Sequence, residues 1–301
     1  MIIRSFDVPL MVMISSLLAE RSFKNILARG MSSKEYIILR FKRLVFPTWT
    51  FLIIYFVISA IFCGMETMTY YIDSFCLTRY GIGYVWVILI YLYSAMLVPI
   101  FYKIEKNKKS IIVIAIIYIA YEIMYYLQIG VDVKLIDSTF YYMVPYGVLT
   151  FLGFNYQAIS RMGKAITIFG CLAIFIILLA YYFHSAGMLI SPGSVKYPPR
   201  LYYLSYGIMC SFVLICLCRK FQLKIFDCRM VKFISSHSMW IYLWHILVLK
   251  GYDYFLFPKI WMLKFIVVYV VSAFIVLLVN IMLNVLDAYK IDIKILKYLR
   301  G

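Results

Sequence analysis

Long apolar runs, separated by short segments with charged or turn-forming residues, dominate the pattern of this chain. A helix needs about 20 mainly apolar residues to cross the ~30 Å hydrocarbon core of a bilayer. Because no linker divides the chain, we treat 1–301 as a single membrane domain of the all-α class, a polytopic transmembrane helix bundle. The apolar runs predict about nine spans: 5–19, 44–63, 84–102, 110–127, 139–155, 165–183, 201–218, 236–250 and 263–286.

The composition supports a membrane protein and excludes other classes. Hydrophobic residues make up 65% of the chain, charged residues only 14%, and the mean hydropathy is +0.92, which is too apolar for a soluble domain. The net charge of +17 lies in short segments between apolar runs, so we expect membrane lipid and no nucleic acid as a partner. The seven cysteines show no ligand spacing, and no metal site is predicted.

The distribution of cations predicts the orientation of the chain. Lys and Arg flank membrane spans on the cytoplasmic side, and 22 of the 30 fall in alternate intervals. We therefore expect a cytoplasmic C-terminus and, with nine spans, an N-terminus of this chain on the outside. The cation-rich intervals are 20–43, 103–109, 156–164, 219–235 and 287–301.

Ionisable residues inside a span cost at least ~2.5 kcal/mol each without a partner, and three residues are the clearest cases in the predicted spans. Asp7 either pairs with Arg4, three residues earlier, or serves a function. Glu122 is surrounded by tyrosines, so it is either a satisfied interhelical hydrogen-bond acceptor or a catalytic group. His245 is either a packing residue or a general base, because imidazole titrates near neutral pH.

A cluster of cations precedes the span at 44–63. Arg40, Lys42 and Arg43 lie within one helical turn in the sequence RFKRLVFP (40–47). One interpretation is that these cations only orient the span. The other is that they bind an anionic ligand, for which the planar guanidinium of arginine is well suited.

Several stretches, taken together and in order, resemble integral membrane acyltransferase family three, which includes sugar and polysaccharide O-acetyltransferases and fucose 4-O-acetylase-like proteins. RFKRLVFP matches the R-x-x-R-L-x-x-P motif of that family. The other similar stretches are SFDVPLMVMISSLL (5–18), YVWVILIYLYSAMLVP (84–99), KYPPRLYYLSYGI (196–208) and SSHSMWIYLWHILVL (235–249).

The resemblance implies an acyltransferase of the bacterial cytoplasmic (inner) membrane that moves acetyl from acetyl-CoA to a hydroxyl of a surface polysaccharide or lipid-linked sugar. In the family, the R-x-x-R motif is associated with the donor, which implies that Arg40 and Arg43 hold acetyl-CoA. Lys42 lies on another side of the helix and is expected to be a topology charge. Trp86 and the aromatic residues of 66–86 and 197–206 can stack on the sugar acceptor or form an interface belt.

The chain departs from the family pattern at its start. Family members usually begin with one more helix, which carries an Arg and the His that serves as general base. This sequence opens at what resembles the second helix, in agreement with the outside N-terminus, and losing the base is expected to lower the rate ~10²–10⁴-fold. The reading frame continues upstream, or the gene is a decayed copy, or His245 has taken the role; the first two are favoured.

Two functions of other classes remain open at this stage. The first is a transporter or flippase for a glycan or lipid, although such folds tend to show internal repeats, and none is visible. The second is a non-catalytic membrane partner of a glycan synthesis complex. Labelled acetyl transfer to glycan separates both from an acyltransferase.

Overall fold

The computed structural model describes residues 5–104, 108–221, 228–255 and 260–288. The described residues are 82% helical, and no strand occurs among them, which confirms the predicted all-α helix bundle. The helices, in chain order, are α1 (Asp7–Ala28), α2 (Ser33–Cys63), α3 (Met68–Phe75), α4 (Trp86–Lys103), α5 (Lys108–Tyr126), α6 (Lys134–Asn155), α7 (Arg161–Ala186), α8 (Leu201–Phe221), α9 (Arg229–Ser236), α10 (Ser238–Tyr254) and α11 (Trp261–Ala288), with a short 3-10 helix at Pro192–Val195.

Six helices in the described part of the chain are long and apolar enough to cross a membrane: α2, α4, α5, α7, α8 and α11. The other three predicted spans coincide with α1, α6 and α10, which are shorter or more polar. Helix α1 contains Asp7 and Glu20, and α10 has only 17 residues. The protein is therefore a multi-pass membrane protein.

Helices α1 and α2 both extend into the cation-rich interval 20–43, and a tight turn joins them. Gly30 has a φ of +76°, a conformation that glycine adopts without strain, and its N–H donates to the carbonyl of Leu27. A capping box starts α2, because the Ser32 hydroxyl accepts the Glu35 N–H at 3.3 Å and the Ser32 N–H donates to the Glu35 carboxylate at 2.6 Å. The cations before span 44–63 therefore lie on a helix with defined faces.

The chain divides into two compact units: residues 1–40 with 89–222, and residues 41–88 with 223–301. In the first unit, α1 packs against α6 and α8. A Cβ added at Gly153 would lie 2.5 Å from the backbone oxygen of Met13, and one added at Gly207 would lie 2.5 Å from Cγ of Pro9. Glycine thus allows α1 to approach both neighbours closely, as is usual where membrane helices associate by van der Waals packing.

Replacing Gly153 with Ala should destabilise the protein by about 1–3 kcal/mol, because the new methyl group meets rigid backbone and α1 must move away. Thermal denaturation of the purified protein in detergent measures the effect. The matched control is Gly170→Ala on α7, where an added Cβ has no atom within 4 Å. Equal melting temperatures for the two variants would contradict the close approach of α1 and α6.

In the second unit, α10 packs against α9 and α11. Helix α11 buries one stripe of side chains and exposes large apolar residues elsewhere, as expected for a helix that faces both protein and lipid. The buried stripe consists of Val268, Ser272, Val276 and Leu283.

Candidate functional site

The basic cluster lies on α2 around a proline. Arg40, Arg43 and Pro47 follow one another at spacings of three and four, so they share one helical face, whereas Lys42 points to another side. Pro47 has no N–H, so the helical hydrogen bond to the carbonyl of Arg43 cannot form. The hydroxyl of the next residue, Thr48, donates to the carbonyl of Leu44 at 2.7 Å. The cluster therefore lies on a continuous helix that lacks one backbone hydrogen bond, the one to the Arg43 carbonyl.

Tyr36, one turn before Arg40, fixes the position of that arginine. The Tyr36 ring is fully buried in the first unit and contacts Phe23 edge to face, with 4.9 Å between ring centroids. The guanidinium of Arg40 lies over the same ring, 5.4 Å from its centroid. Arg40 is consequently half-buried and held by a cation–π contact, while Arg43 is exposed.

Neither Arg40 nor Arg43 forms a salt bridge with any residue that the structure describes. Two guanidinium groups on one face repel each other, and a bound anion relieves that repulsion. Arginine forks match phosphate oxygens in pairs, so this face is suited to a phosphate-bearing ligand.

His245 lies in the middle of α10, with two tyrosines beside it. Its Nδ1 hydrogen-bonds the backbone carbonyl of Tyr242. A carbonyl only accepts, so this contact favours the neutral tautomer with the proton on Nδ1, which is the one that a base acting through Nε2 requires. The Tyr84 ring lies edge-on, 6.2 Å between centroids, and the Tyr242 hydroxyl donates to the Tyr84 carbonyl.

Trp86 begins α4, two residues after Tyr84, and its side chain is 4% exposed. This burial favours a packing role over the sugar-stacking role considered from the sequence. Tyr84, at 38% exposed, is the more accessible ring at this place. The structure thus brings Tyr84 and Tyr242 to His245, and neither tyrosine was singled out from the sequence.

Asp7 is the first residue of α1, and its carboxylate accepts the N–H of Val8 at 2.8 Å. Negative charge at a helix N-terminus is favourable. The carboxylate is also close enough to interact electrostatically with the hydroxyl of Tyr203 on α8. The predicted pairing of Asp7 with Arg4 lies outside the described residues.

Glu122 on α5 accepts three hydrogen bonds, so its carboxylate has partners within the protein. Tyr118 donates its hydroxyl at 2.8 Å, as the neighbouring tyrosines predicted, and the N–H of Leu201 donates at 2.8 Å. Arg200 donates its Nε at 2.7 Å, and its guanidinium lies 4.1 Å from the centroid of the Tyr125 ring. The carboxylate therefore ties α5 to the start of α8. Asp7 also interacts with this first turn of α8, because Tyr203 belongs to it.

Arg200 is the functional candidate that sequence reasoning missed. It immediately precedes the apolar run 201–218 and lies in the family-like stretch KYPPRLYYLSYGI (196–208), but neither signal names it individually. Across residues 5–104, 108–221, 228–255 and 260–288, no three His, Cys, Asp or Glu side chains lie close enough together to hold a metal ion.

Comparison with protein families identifies the family of this chain. The family model of acyltransferase family 3, described as an acyltransferase domain, matches residues 1–285 of the 301. No curated protein and no solved structure matches the chain significantly. Because the match covers most of the chain and agrees with the motifs quoted from the sequence, this protein belongs to acyltransferase family 3.

Proposed function

We propose that the protein is a membrane-bound O-acyltransferase that transfers acetyl from acetyl-CoA to a hydroxyl of a surface polysaccharide or lipid-linked sugar. The observation that carries the proposal is the pair of arginines on one face of α2, without a carboxylate partner in the described structure, in a chain of an acyltransferase family. We place the protein in the bacterial cytoplasmic membrane with its C-terminus in the cytoplasm, as the cation distribution favours.

Arg40 and Arg43 are assigned to the donor. Coenzyme A carries several phosphate charges, and each guanidinium offers paired donors to phosphate oxygens. The cation–π contact with Tyr36 limits the freedom of Arg40 before the ligand arrives, which lowers the entropy lost on binding. Lys42, on another helical side, is left as a topology charge.

His245 is assigned to the acceptor hydroxyl. Acetyl-CoA supplies the activated thioester; Nε2 of His245 accepts the hydroxyl proton while the sugar oxygen forms a bond to the thioester carbon. The carbon–sulfur bond breaks, and the thiolate takes up the proton that His245 accepted. Oxygen thereby replaces sulfur on the acetyl group, and the histidine returns to its neutral form.

The spacing within the second unit is compatible with these roles. Phe51 on α2 contacts Trp244, the residue before His245, with 6.1 Å between ring centroids. Arg43 lies eight residues before Phe51, or ~12 Å along the helix axis. The pantetheine arm of coenzyme A separates its phosphates from the thioester, so phosphate-binding and proton-accepting residues are expected to lie apart.

Replacing Arg43 with Ala should weaken binding of acetyl-CoA roughly tenfold or more, because at least one hydrogen bond between charged groups is lost. Binding of radiolabelled acetyl-CoA to the protein in lipid nanodiscs measures the effect. Lys42→Ala is the matched control, with an expected change below about twofold, because an exposed charge on another face contributes little.

Equal losses of acetyl-CoA binding in Arg43→Ala and Lys42→Ala would show that the cluster only orients the span. Transfer of the label to glycan tests the reaction itself. A transporter or a non-catalytic partner leaves the glycan unlabelled even when membrane insertion is normal.

A further inference from the structure

A pocket of about 400 Å³ opens beside the Glu122 network in the first unit. Its walls combine an ion pair with apolar and aromatic side chains, the mixture typical of sites for small molecules. Glu122 and Arg200 form the polar wall, with side chains 20% and 26% exposed. The remaining lining includes Tyr118, Ile123, Tyr126 and Leu127.

The guanidinium of Arg200 is positioned but only partly used. It donates Nε to Glu122, and Tyr125 supports its flat face. The two terminal NH₂ groups donate to no atom in the described part of the protein. Arg200 thus lines the pocket with a guanidinium that is already held, so less conformational freedom is lost when a ligand binds.

The charge of this wall selects the kind of ligand. Glu122 already neutralises Arg200, so an anion entering the pocket meets no net positive charge. Neutral hydroxyl groups accept from the terminal NH₂ groups without bringing in a charge. Tyr126 is 80% exposed and offers a ring face, and Ile123 and Leu127 offer apolar surface.

We propose that this pocket binds a neutral saccharide that carries an apolar chain, with the sugar hydroxyls on Arg200, the sugar ring against Tyr126, and the chain along Ile123 and Leu127. This ligand belongs to the chemical class of the acceptor, so the inference rests on the acyltransferase function proposed above. Arg200 and Tyr126 are binding residues here, and Glu122 is a positioning residue that orients Arg200.

The probe is octyl β-D-glucopyranoside, and tetraethylene glycol monooctyl ether, with the same chain and no sugar, is the reference compound. Saturation-transfer NMR with the protein in nanodiscs gives the affinity for each. We expect the glucoside to bind the wild type and the ether to bind much more weakly. Arg200→Lys keeps the positive charge opposite Glu122 but loses the terminal NH₂ donors of the guanidinium. Glucoside binding should therefore weaken roughly five- to tenfold.

Tyr126→Ala should weaken glucoside binding roughly two- to tenfold. The matched control is Tyr181→Ala on α7, another exposed tyrosine (63%) that does not line the pocket, and we expect unchanged binding. Because Tyr126 is so exposed, its removal should leave folding intact, so this variant decides the question even if Arg200→Lys unfolds.

Equal binding of the glucoside and the ether, or equal affinity of wild type and Tyr126→Ala, overturns the proposal. Binding of labelled acetyl-CoA is measured on the same samples to separate the two hypotheses. Retained acetyl-CoA binding without glucoside binding removes the saccharide site alone, whereas glucoside binding without acetyl-CoA binding removes the donor assignment alone.

Discussion

Replacing His245 with Gln should lower the rate of acetyl transfer by about 10²–10⁴-fold, with little change in the affinity for acetyl-CoA. Glutamine can keep a hydrogen bond to the Tyr242 carbonyl but has no atom that accepts a proton near neutral pH. The donor phosphates are assigned to α2, so binding should persist. Single-turnover transfer of radiolabelled acetyl to glycan, at saturating donor, measures the chemical step.

His184→Gln is the control for this experiment, because His184 is an exposed histidine in the last turn of α7. It should transfer acetyl at the wild-type rate. A His245→Gln protein that transfers acetyl as fast as the control would exclude His245 as the base and leave it a packing residue of α10.

The ion pair of Glu122 with Arg200 leads to a prediction about stability. Glu122→Ala should lower the free energy of unfolding by roughly 3 kcal/mol, at the low end of the range for buried ion pairs because both side chains are partly exposed. The substitution leaves Arg200, the Tyr118 hydroxyl and the Leu201 N–H without their acceptor. Thermal denaturation in detergent provides the measurement.

Asp132→Ala serves as the control, because Asp132 is an exposed carboxylate after α5. The melting temperature of this variant should match that of the wild type. Adding Arg200→Met to Glu122→Ala removes the stranded charge and should regain much of the lost stability. If the double variant is as unstable as Glu122→Ala, the charge of Arg200 is not the cause of the loss.

The hydropathy pattern predicted where helices occur because apolar length is a local property of the chain. It did not predict how far α1 and α2 extend, since both extensions contain charged residues. The start of α2 also depends on the capping box of Ser32 and Glu35. Sequence alone therefore separated Arg40 and Arg43 from Lys42 by helical spacing, but it did not show that α2 starts as early as Ser33 and carries the cluster well inside the helix.

The contacts of the candidate site were only partly predictable. Tyr118 is four residues from Glu122, so helical periodicity makes the two side chains neighbours. Arg200 is distant in sequence from Glu122, and no local pattern indicates which polar group closes that pair. Tyr84 and His245 are likewise brought together only by tertiary packing. Long-range pairing of this kind follows from the whole fold.

The close approach of α1 to α6 and α8 also bears on how the chain is made. Helix α1 is synthesised before both partners, and it is not among the helices apolar enough to cross a membrane on their own. Gly153 and Gly207 both follow α1 in the chain, so α1 can make these two close contacts only after its partners have been synthesised. The packing of α1 within the first unit is thus complete only once α8 has been made.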